Sequence, residues 1–196
     1  MANWASTSYA IEGPKEVLEK IEQAIFHHDV EVGSSKDWEG NVLSALGITW
    51  IRRTQSGQGK YMRGFINGEP WYDFGTGALR FDAEEAWGVT DFNEVLEENL
   101  PVKVYYVVEE PDCEVYATND QEGKYFPDRF YVDTCIDSNY QQEYFKTKEA
   151  VYKWLSEITE GRVKCEKDVD EFNDGYKDSD AADENYIYVH EFNVIE

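Results

Sequence analysis

The sequence has 196 residues, of which 41 are Asp or Glu and 18 are Lys or Arg, so its formal net charge is -23 at neutral pH. Phosphate contact needs clustered Lys and Arg, so this charge argues against a general nucleic-acid binder and against adhesion to an anionic membrane. Hydrophobic residues make up 41% of the chain and aromatic residues 15%, which indicates a folded protein rich in strands. The simplest interpretation of the charge is solubility, and a surface that attracts a basic partner is the alternative.

Cysteine usage and the opening residues predict a cytoplasmic protein without a metal or cofactor. The three cysteines, Cys113, Cys135 and Cys165, are odd in number and widely spaced, and none belongs to a Cys-x-x-Cys or Cys/His metal pattern. The first residues lack the basic and apolar regions of a signal peptide. No apolar run reaches the roughly 18 residues of a membrane span.

The first half of the chain predicts a strand, two helices and three further strands. A short alternating strand ends at Gly13, apolar residues at helical spacing follow in residues 14–28, and a shorter helix ends at Gly47. Asn67-Gly68 is typical of a hairpin turn between two short strands. The three strands are predicted at residues 48–53, 61–66 and 78–82.

The second half predicts two helices among antiparallel strands. Asp91 and Glu94 are spaced as an N-cap and its capping-box partner for a helix that Pro101 ends. A strand follows the proline, and two more strands turn back on it as a meander. Thr147 caps the clearest helix, which Gly161 ends. The last segments are predicted as an acidic loop at 166–184 and a terminal strand at 186–195.

This order of elements predicts an α+β fold, because strands and helices interleave and antiparallel neighbours are common. We expect an antiparallel or mixed sheet backed by helices on one face. No linker rich in Pro, Gly or Ser separates the chain into parts, so a single domain over residues 1–196 is predicted.

Two stretches resemble the YubB-like group of small phage- and plasmid-borne proteins. They are MANWASTSYAIEG with the helix behind it, and LRFDAEEAWGVTDFNEVLEENLPVKVYYVVEE with its alanine–tryptophan pair, helix, proline and strand. The resemblance covers the first 25 residues and about 79–155. It implies a ferredoxin-like domain of unknown function, with its crossover and meander at about 79–160, and an association with mobile elements. The prolines that follow the tryptophan in that group are absent from AWGVTD, and the group has no agreed catalytic residues to transfer.

Three carboxylates lie together in RFDAEEAWGVTDF. Asp82, Glu84 and Glu85 are candidates for acid–base chemistry, which needs two groups held in unequal environments, but nothing in their spacing indicates such a difference. We therefore expect Asp82 to face water and both glutamates to lie in a solvated turn. Trp87 is expected to fill the gap between the strand and the next helix.

The acidic loop 166–184 suggests a calcium site. Gly175 follows Asp174 as the sixth position of an EF-hand requires, but positions three and twelve are Phe172 and Ala181, which supply no ligand. The spacing excludes an EF-hand and leaves a looser cation site open.

The chain has one basic cluster. The stretch SGQGKYMRG resembles a phosphate-binding loop but lacks its first glycine and the Ser or Thr after the lysine. The cluster around it consists of Arg52, Arg53, Lys60, Arg63 and Arg80. These residues are either strand-edge charges paired with carboxylates or a docking site for an anion or a partner.

These patterns predict a non-catalytic binding or accessory protein with no cofactor and no direct nucleic-acid binding. A basic protein is the predicted partner, and Tyr105 and Tyr131 are candidates for an exposed patch. One alternative is an acidic antagonist that imitates nucleic acid and occupies a basic site on a nuclease, repressor or toxin. A second alternative is an enzyme that uses carboxylates in a surface cleft. His27, His28 and His190 do not indicate thiol catalysis, because a helix end and a strand of aromatics account for their positions.

Overall fold

The computed structural model describes residues 3–27, 38–51, 57–177 and 184–195. The chain divides into two compact units, one formed by Met1–Phe126 with Val194–Glu196, and the other by Pro127–Asn193. The sequence predicted one domain over residues 1–196, and this stays a prediction beside the division into two compact units.

Unit 1 is a sheet with three helices. Its elements are β1 (Trp4–Glu12), α1 (Lys15–His27), α2 (Glu39–Ala45), β2 (Gly64–Asp73), β3 (Ala78–Ala86), α3 (Phe92–Asn99), β4 (Lys103–Glu110) and β5 (Val115–Thr118). A last short strand, β9 (Asn193–Val194), completes the strand order β2-β3-β1-β4-β5-β9. Neighbouring strands from β2 to β5 pair antiparallel.

The core of unit 1 lies on one face of its sheet. Every second residue of β1 from Ala5 to Ile11 is buried, and β3 alternates in the same way from Leu79. The apolar sides of α1, α2 and α3 cover this face, and their largest fully buried side chains are Leu18, Ile21, Leu43, Phe92 and Leu96. On the opposite face, Tyr125 and Phe126 cover Ala10 and Ala78.

Unit 2 is a smaller sheet with two helices. Its elements are β6 (Phe130–Ile136), β7 (Asn139–Phe145), α4 (Lys148–Ile158), α5 (Glu166–Tyr176) and β8 (Tyr186–Glu191). Strand β6 is central and pairs antiparallel with both neighbours, in the order β7-β6-β8. Val132 and Ile187 pack with Val151, Leu155 and Phe172 to form the core.

The α+β class is confirmed by this arrangement of strands and helices. Thr147 caps α4 as predicted, because its side chain accepts a hydrogen bond from the Ala150 N–H at 3.2 Å. Within the described ranges, no helix is both long and apolar enough to cross a membrane.

The acidic segment after residue 165 is mostly a helix, not the predicted loop. Val169, Phe172 and Tyr176 are spaced as one apolar face of α5 and pack in the core of unit 2. Asn173 bonds to both backbone groups of Ile187, at 2.8 and 2.9 Å, and so fixes α5 to β8. The dense charge of this segment concealed its helical periodicity. Residues 178–183 lie outside the described part of the chain.

Strand positions also differ from the predictions. Asn67-Gly68 is not a hairpin turn: it lies inside β2, where the register shifts between Asn67 and Trp71. The turn follows Asp73, whose carboxylate accepts hydrogen bonds from Gly75 and Thr76. The predicted meander is wrong at its third strand, because β6 pairs with β7 and β8 in a separate sheet. Residues 48–51 are not a strand, and the rest of the strand predicted at 48–53 lies outside the described residues.

Candidate functional site

The carboxylates of the RFDAEEAW stretch do not lie in a solvated turn. The strand β3 continues to Ala86, so alternation places Glu85 on the core face and Asp82 and Glu84 on the other. Glu85 is fully buried. Asp82 is half-buried and accepts a hydrogen bond from Ser8 Oγ at 2.7 Å. The prediction of a turn was wrong because the strand is longer than its apolar residues indicate.

Glu85 meets a second buried carboxyl group, that of Glu39 on α2. Thr90 joins them, since its Oγ1 lies 2.7 Å from Glu39 Oε2 and 2.8 Å from Glu85 Oε1. Glu85 Oε1 also accepts from Tyr9 Oη at 2.7 Å and from the Thr90 N–H at 3.0 Å. Glu39 and Glu85 are both 0% exposed, so no dissolved substrate reaches them.

The hydrogen-bond geometry requires a proton on this pair. One hydroxyl proton of Thr90 cannot serve both short contacts, so a carboxyl proton must serve the other. Burial, and then the charge of Glu85, raise the pKa of Glu39 well above its usual value. Glu39 Oε1 and Glu85 Oε2 are buried without a hydrogen-bond partner. Glu85 Oε1 already accepts hydrogen bonds from Tyr9 and from the Thr90 N–H, so we conclude that Glu39 is the member of the pair that holds the proton.

A glycine makes room for Glu39. A Cβ atom at Gly64 on β2 would lie 2.3 Å from Glu39 Oε1 and 2.7 Å from Oε2, well inside contact distance. The buried pair is thus a packed structural feature of unit 1. A neutral acid beside a carboxylate resembles the arrangement of an acid–base pair, but enclosure removes the access that catalysis needs.

Trp87 does not plug the corner behind β3. Its side chain is 57% exposed, and its φ of 62° places it in the left-handed region. The Arg63 guanidinium lies 4.4 Å from the centre of the indole ring. The corner is instead filled by Phe92, which contacts the rings of Tyr9 and Phe81 edge-on.

The described members of the predicted basic cluster do not form one patch. Lys60 bonds to Glu94 and Glu98 of α3 at 3.0 and 2.9 Å. Arg80 lies 3.6 Å from Asp73. The Arg63 carbonyl bonds to the Ala86 N–H, six residues and about 20 Å along β3 from Arg80. Arg52 and Arg53 lie outside the described residues, so docking by the whole cluster stays a prediction.

The cysteines and the potential metal ligands were the other candidates for a chemical site. Those ranges hold no group of three or more His, Cys, Asp or Glu residues placed to bind a metal ion. Cys113 and Cys165 are exposed and Cys135 is buried.

The outer face of the sheet in unit 2 is rich in tyrosine. Strand alternation turns nine side chains away from α4 and α5, three from each strand. We name this surface the tyrosine face. Its residues are Tyr131, Asp133 and Cys135 on β6, Tyr140, Gln142 and Tyr144 on β7, and Tyr186, Tyr188 and His190 on β8.

The rings of the tyrosine face are accessible and ordered against one another. Tyr140, Tyr144 and Tyr188 are 54%, 43% and 52% exposed, values that are high for side chains of this size. The Tyr131 and His190 rings are stacked with centres 5.8 Å apart, and those of Tyr186 and Tyr188 with centres 5.1 Å apart. Tyr131 itself is 7% exposed, so it forms the floor of the surface rather than the exposed patch predicted for it.

One carboxylate occupies the centre of the tyrosine face. Asp133 lies between Gln142 on β7 and Tyr188 on β8 in the strand register. Partial burial raises its pKa, and a hydrogen bond from Tyr186 acts in the opposite direction. Burial, and then the charge of Asp133, raise the pKa of Tyr186 to about 12. Asp133 is the one carboxylate among the nine residues of the face, and none of the nine is Lys or Arg.

This surface was not predicted from the sequence, because β7 was not predicted as a strand. The signal was present, since Tyr140, Gln142 and Tyr144 alternate with other residues over seven positions. The sequence did place Tyr186, Tyr188 and His190 on one side of the terminal strand, as the register shows. The strand order that brings the three rows together was not readable from local patterns.

Comparisons with protein-family models, curated proteins and solved structures each found no match for this chain. The resemblance to the YubB-like group therefore stays a prediction.

Proposed function

We propose that this chain is a non-catalytic binding protein, and that its tyrosine face binds a basic segment of a partner protein. The observation that carries the proposal is the surface itself: three exposed tyrosines, Tyr140, Tyr144 and Tyr188, share the outer face of a three-stranded sheet with one carboxylate. Tyrosine is enriched at protein interfaces because it buries a large area with few rotatable bonds and keeps a polar tip.

Charge selects the chemistry of the partner. The formal net charge of -23 attracts cationic segments over a distance, and the exposed rings offer cation–π contacts to Lys and Arg. Stacked rings on a sheet also suit single-stranded nucleic acid, but such sites combine the rings with basic side chains that track the phosphates. None of the nine residues of the tyrosine face is Lys or Arg, although Lys177 lines a cavity beside Tyr186 and Tyr188. This sparse basic charge favours a protein.

We test this proposal by calorimetry at physiological ionic strength with three defined ligands: a short basic peptide, an acidic peptide of equal length and a single-stranded oligonucleotide. We expect the basic peptide to bind and the other two ligands not to bind. Replacing Tyr140, Tyr144 and Tyr188 together with Ala weakens its binding about tenfold or more, because aromatic anchors dominate interface energies. This variant keeps the net charge, so the loss cannot come from long-range attraction.

The matched control replaces two exposed aromatics of unit 1, Trp71 and Phe74, which are 45% and 91% exposed. This control leaves the affinity for the basic peptide within twofold. Equal losses in both variants, or preference for the oligonucleotide, would overturn the proposal.

The acidic antagonist remains a second candidate because of α5. Glu166, Asp170 and Asp174 are exposed and four residues apart, which places them on one side of the helix about 6 Å apart along its axis. Two base steps along one DNA strand span about 6.8 Å. Replacing the three by Gln, Asn and Asn distinguishes the candidates. If this α5 variant loses basic-peptide binding and the tyrosine triple variant keeps it, the result would favour mimicry.

We also propose that unit 1 is a variant of the ferredoxin-like fold. Its elements from β1 to β4 follow the order βαββαβ, with α2 as an extra helix, and their strands lie in the order β2-β3-β1-β4. These elements span residues 4–110 rather than the predicted 79–160. A search for the same strand order in an experimental structure of this chain tests the assignment.

A further inference from the structure

The centre of the tyrosine face has the geometry of a binding site for one planar cation. Asp133 is flanked along β6 by Tyr131 and Cys135 and across the sheet by Gln142 and Tyr188. It is half-buried, so its carboxylate has lost part of its hydration, and hydrogen bonds from Tyr186 and Tyr140 with the electrostatic effect of His190 offset this loss only in part, since its pKa is still raised. A carboxylate in this position is stabilised most by a cation that arrives from solvent.

The hydrogen bonding of Asp133 leaves capacity for such a ligand. Tyr186 Oη donates to Asp133 Oδ1 across 3.5 Å, at the long limit of a hydrogen bond. A carboxylate accepts about four hydrogen bonds through its two oxygens. Tyr140 is a second donor to this carboxylate. Two further donors at ordinary distance would therefore add to these contacts rather than break them.

The neighbouring rings suit a flat cation better than a compact one. Tyr186 and Tyr188 are stacked 29° from parallel, and the Tyr188 and His190 ring centres are 6.4 Å apart. A guanidinium can stack on a ring and bond in its plane to a carboxylate with two parallel N–H groups, whereas an ammonium does neither in that way. The arrangement of Asp133 beside a row of rings suits a guanidinium better than an ammonium.

We infer that Asp133, Tyr186 and Tyr188 form a subsite for the guanidinium of an arginine in the partner's basic segment. The inference rests on the proposed function and specifies arginine as the partner residue that the tyrosine face binds. Asp133 accepts the guanidinium N–H groups, and the rings of Tyr186 and Tyr188 cover its flat surface.

The test compares two peptides that differ in one residue type, with arginine or lysine alternating with glycine. The wild-type chain binds the arginine peptide at least about fivefold more tightly. Asp133→Asn weakens arginine-peptide binding about tenfold and removes the preference over lysine, because the bidentate acceptor is lost. In the wild type, Tyr186 and Tyr188 ring resonances shift on adding the arginine peptide.

Asp137→Asn is the matched control. Asp137 is an exposed carboxylate just after β6, and its φ of 50° is a conformation that Asn tolerates. It removes the same charge from the same unit and changes binding less than twofold. Equal losses in Asp133→Asn and Asp137→Asn, or equal affinity for both peptides, would overturn the subsite.

The outcomes for the subsite and for the proposed function are separable. If basic peptides bind and the tyrosine triple variant loses them while Asp133→Asn does not, the tyrosine face binds its partner without an arginine subsite. If no basic peptide binds the wild type, both inferences are wrong. A circular-dichroism melt of Asp133→Asn that matches the wild type excludes misfolding as the cause of a loss.

Discussion

The two units place carboxylates on their sheets in opposite ways. In unit 1, Glu85 lies on the core face of β3, bonded to Tyr9 and Thr90 and fully enclosed. In unit 2, Asp133 lies on the outer face of β6, half-buried among tyrosines. Each carboxylate has a tyrosine hydroxyl as a neighbour, at 2.7 Å for Glu85 and 3.5 Å for Asp133. The face of the strand, and not the residue type or its neighbours in sequence, decides whether a carboxylate is structural or available to a ligand.

Removing the space for Glu39 is the most severe way to disturb the enclosed site. Gly64→Ala places a Cβ atom 2.3 Å from Glu39 Oε1, and that carboxyl group is held by Thr90. We expect the free energy of unfolding to fall by about 3 kcal/mol, at the upper end for overpacking a core. Urea denaturation followed by tryptophan fluorescence measures the change.

Two variants control this prediction. Gly175→Ala on α5 has nothing within 4 Å of its new Cβ and raises stability by about 0.5 kcal/mol, as expected for a helix. Glu39→Ala in the Gly64→Ala background relieves the clash, so the two changes couple strongly. Additive effects would show that Gly64 and Glu39 do not interact as described.

The proton on Glu39 predicts that the free energy of unfolding depends on pH. A carboxyl group whose pKa is raised by folding stabilises the protein fully below its ordinary pKa of 4.5, and this contribution is lost as the pH rises. The loss is at most about 1.4 kcal/mol per pH unit for one group. Groups with a lowered pKa, such as Glu12 and Asp168, contribute in the opposite direction and at lower pH.

Glu39→Gln isolates this contribution, since Gln keeps a donor towards Thr90 Oγ1 and does not titrate. Its free energy of unfolding varies less between about pH 5 and about pH 7 than that of the wild type, because the repulsion among the other carboxylates is the same in both proteins. Parallel profiles for the two proteins would contradict a neutral Glu39 in the folded state.

Removing the hydroxyl of Tyr9 or of Tyr186 is expected to change the free energy of unfolding by a smaller amount. Tyr9→Phe leaves a buried oxygen of Glu85 with one donor fewer, so unfolding becomes easier by about 1.5 kcal/mol. Tyr186→Phe removes only the long bond to a half-buried Asp133 and changes stability by less than about 0.5 kcal/mol. Chemical denaturation of both variants measures the difference, and similar losses would erase the contrast between the sites.

The sequence predicted the α+β class and the capped helix α4, because alternation and capping are local patterns. The α5 helix was not predicted, because charged residues surround Val169 and Phe172, which carry its apolar face. Strand β7 was lost because Tyr140, Gln142 and Tyr144 alternate without any aliphatic residue.

Neither carboxylate site could be predicted from local spacing, because each depends on pairing between distant segments. Glu39 is 46 positions before Glu85 in the printed sequence, and only the packing of α2 against the sheet brings them together. Asp133 becomes central only when β7 and β8 pair on either side of β6. Trp87 was misplaced for the same reason: its left-handed φ follows from the end of β3 and not from its size.

The charge of Asp133 has a direct spectroscopic readout at its neighbour. Burial, and then Asp133, raise the pKa of Tyr186 to about 12, so its phenol ionises later than an exposed tyrosine, which titrates near about 10. Asp133→Asn removes the charge and leaves the burial, and we expect the pKa of Tyr186 to move towards 10. Absorbance of phenolate as a function of pH, with Tyr186→Phe to assign the signal, measures the shift. Asp137→Asn leaves it in place. A Tyr186 titration that is unchanged in Asp133→Asn would show that the two groups do not interact, and the subsite would then lose one of its two supporting rings.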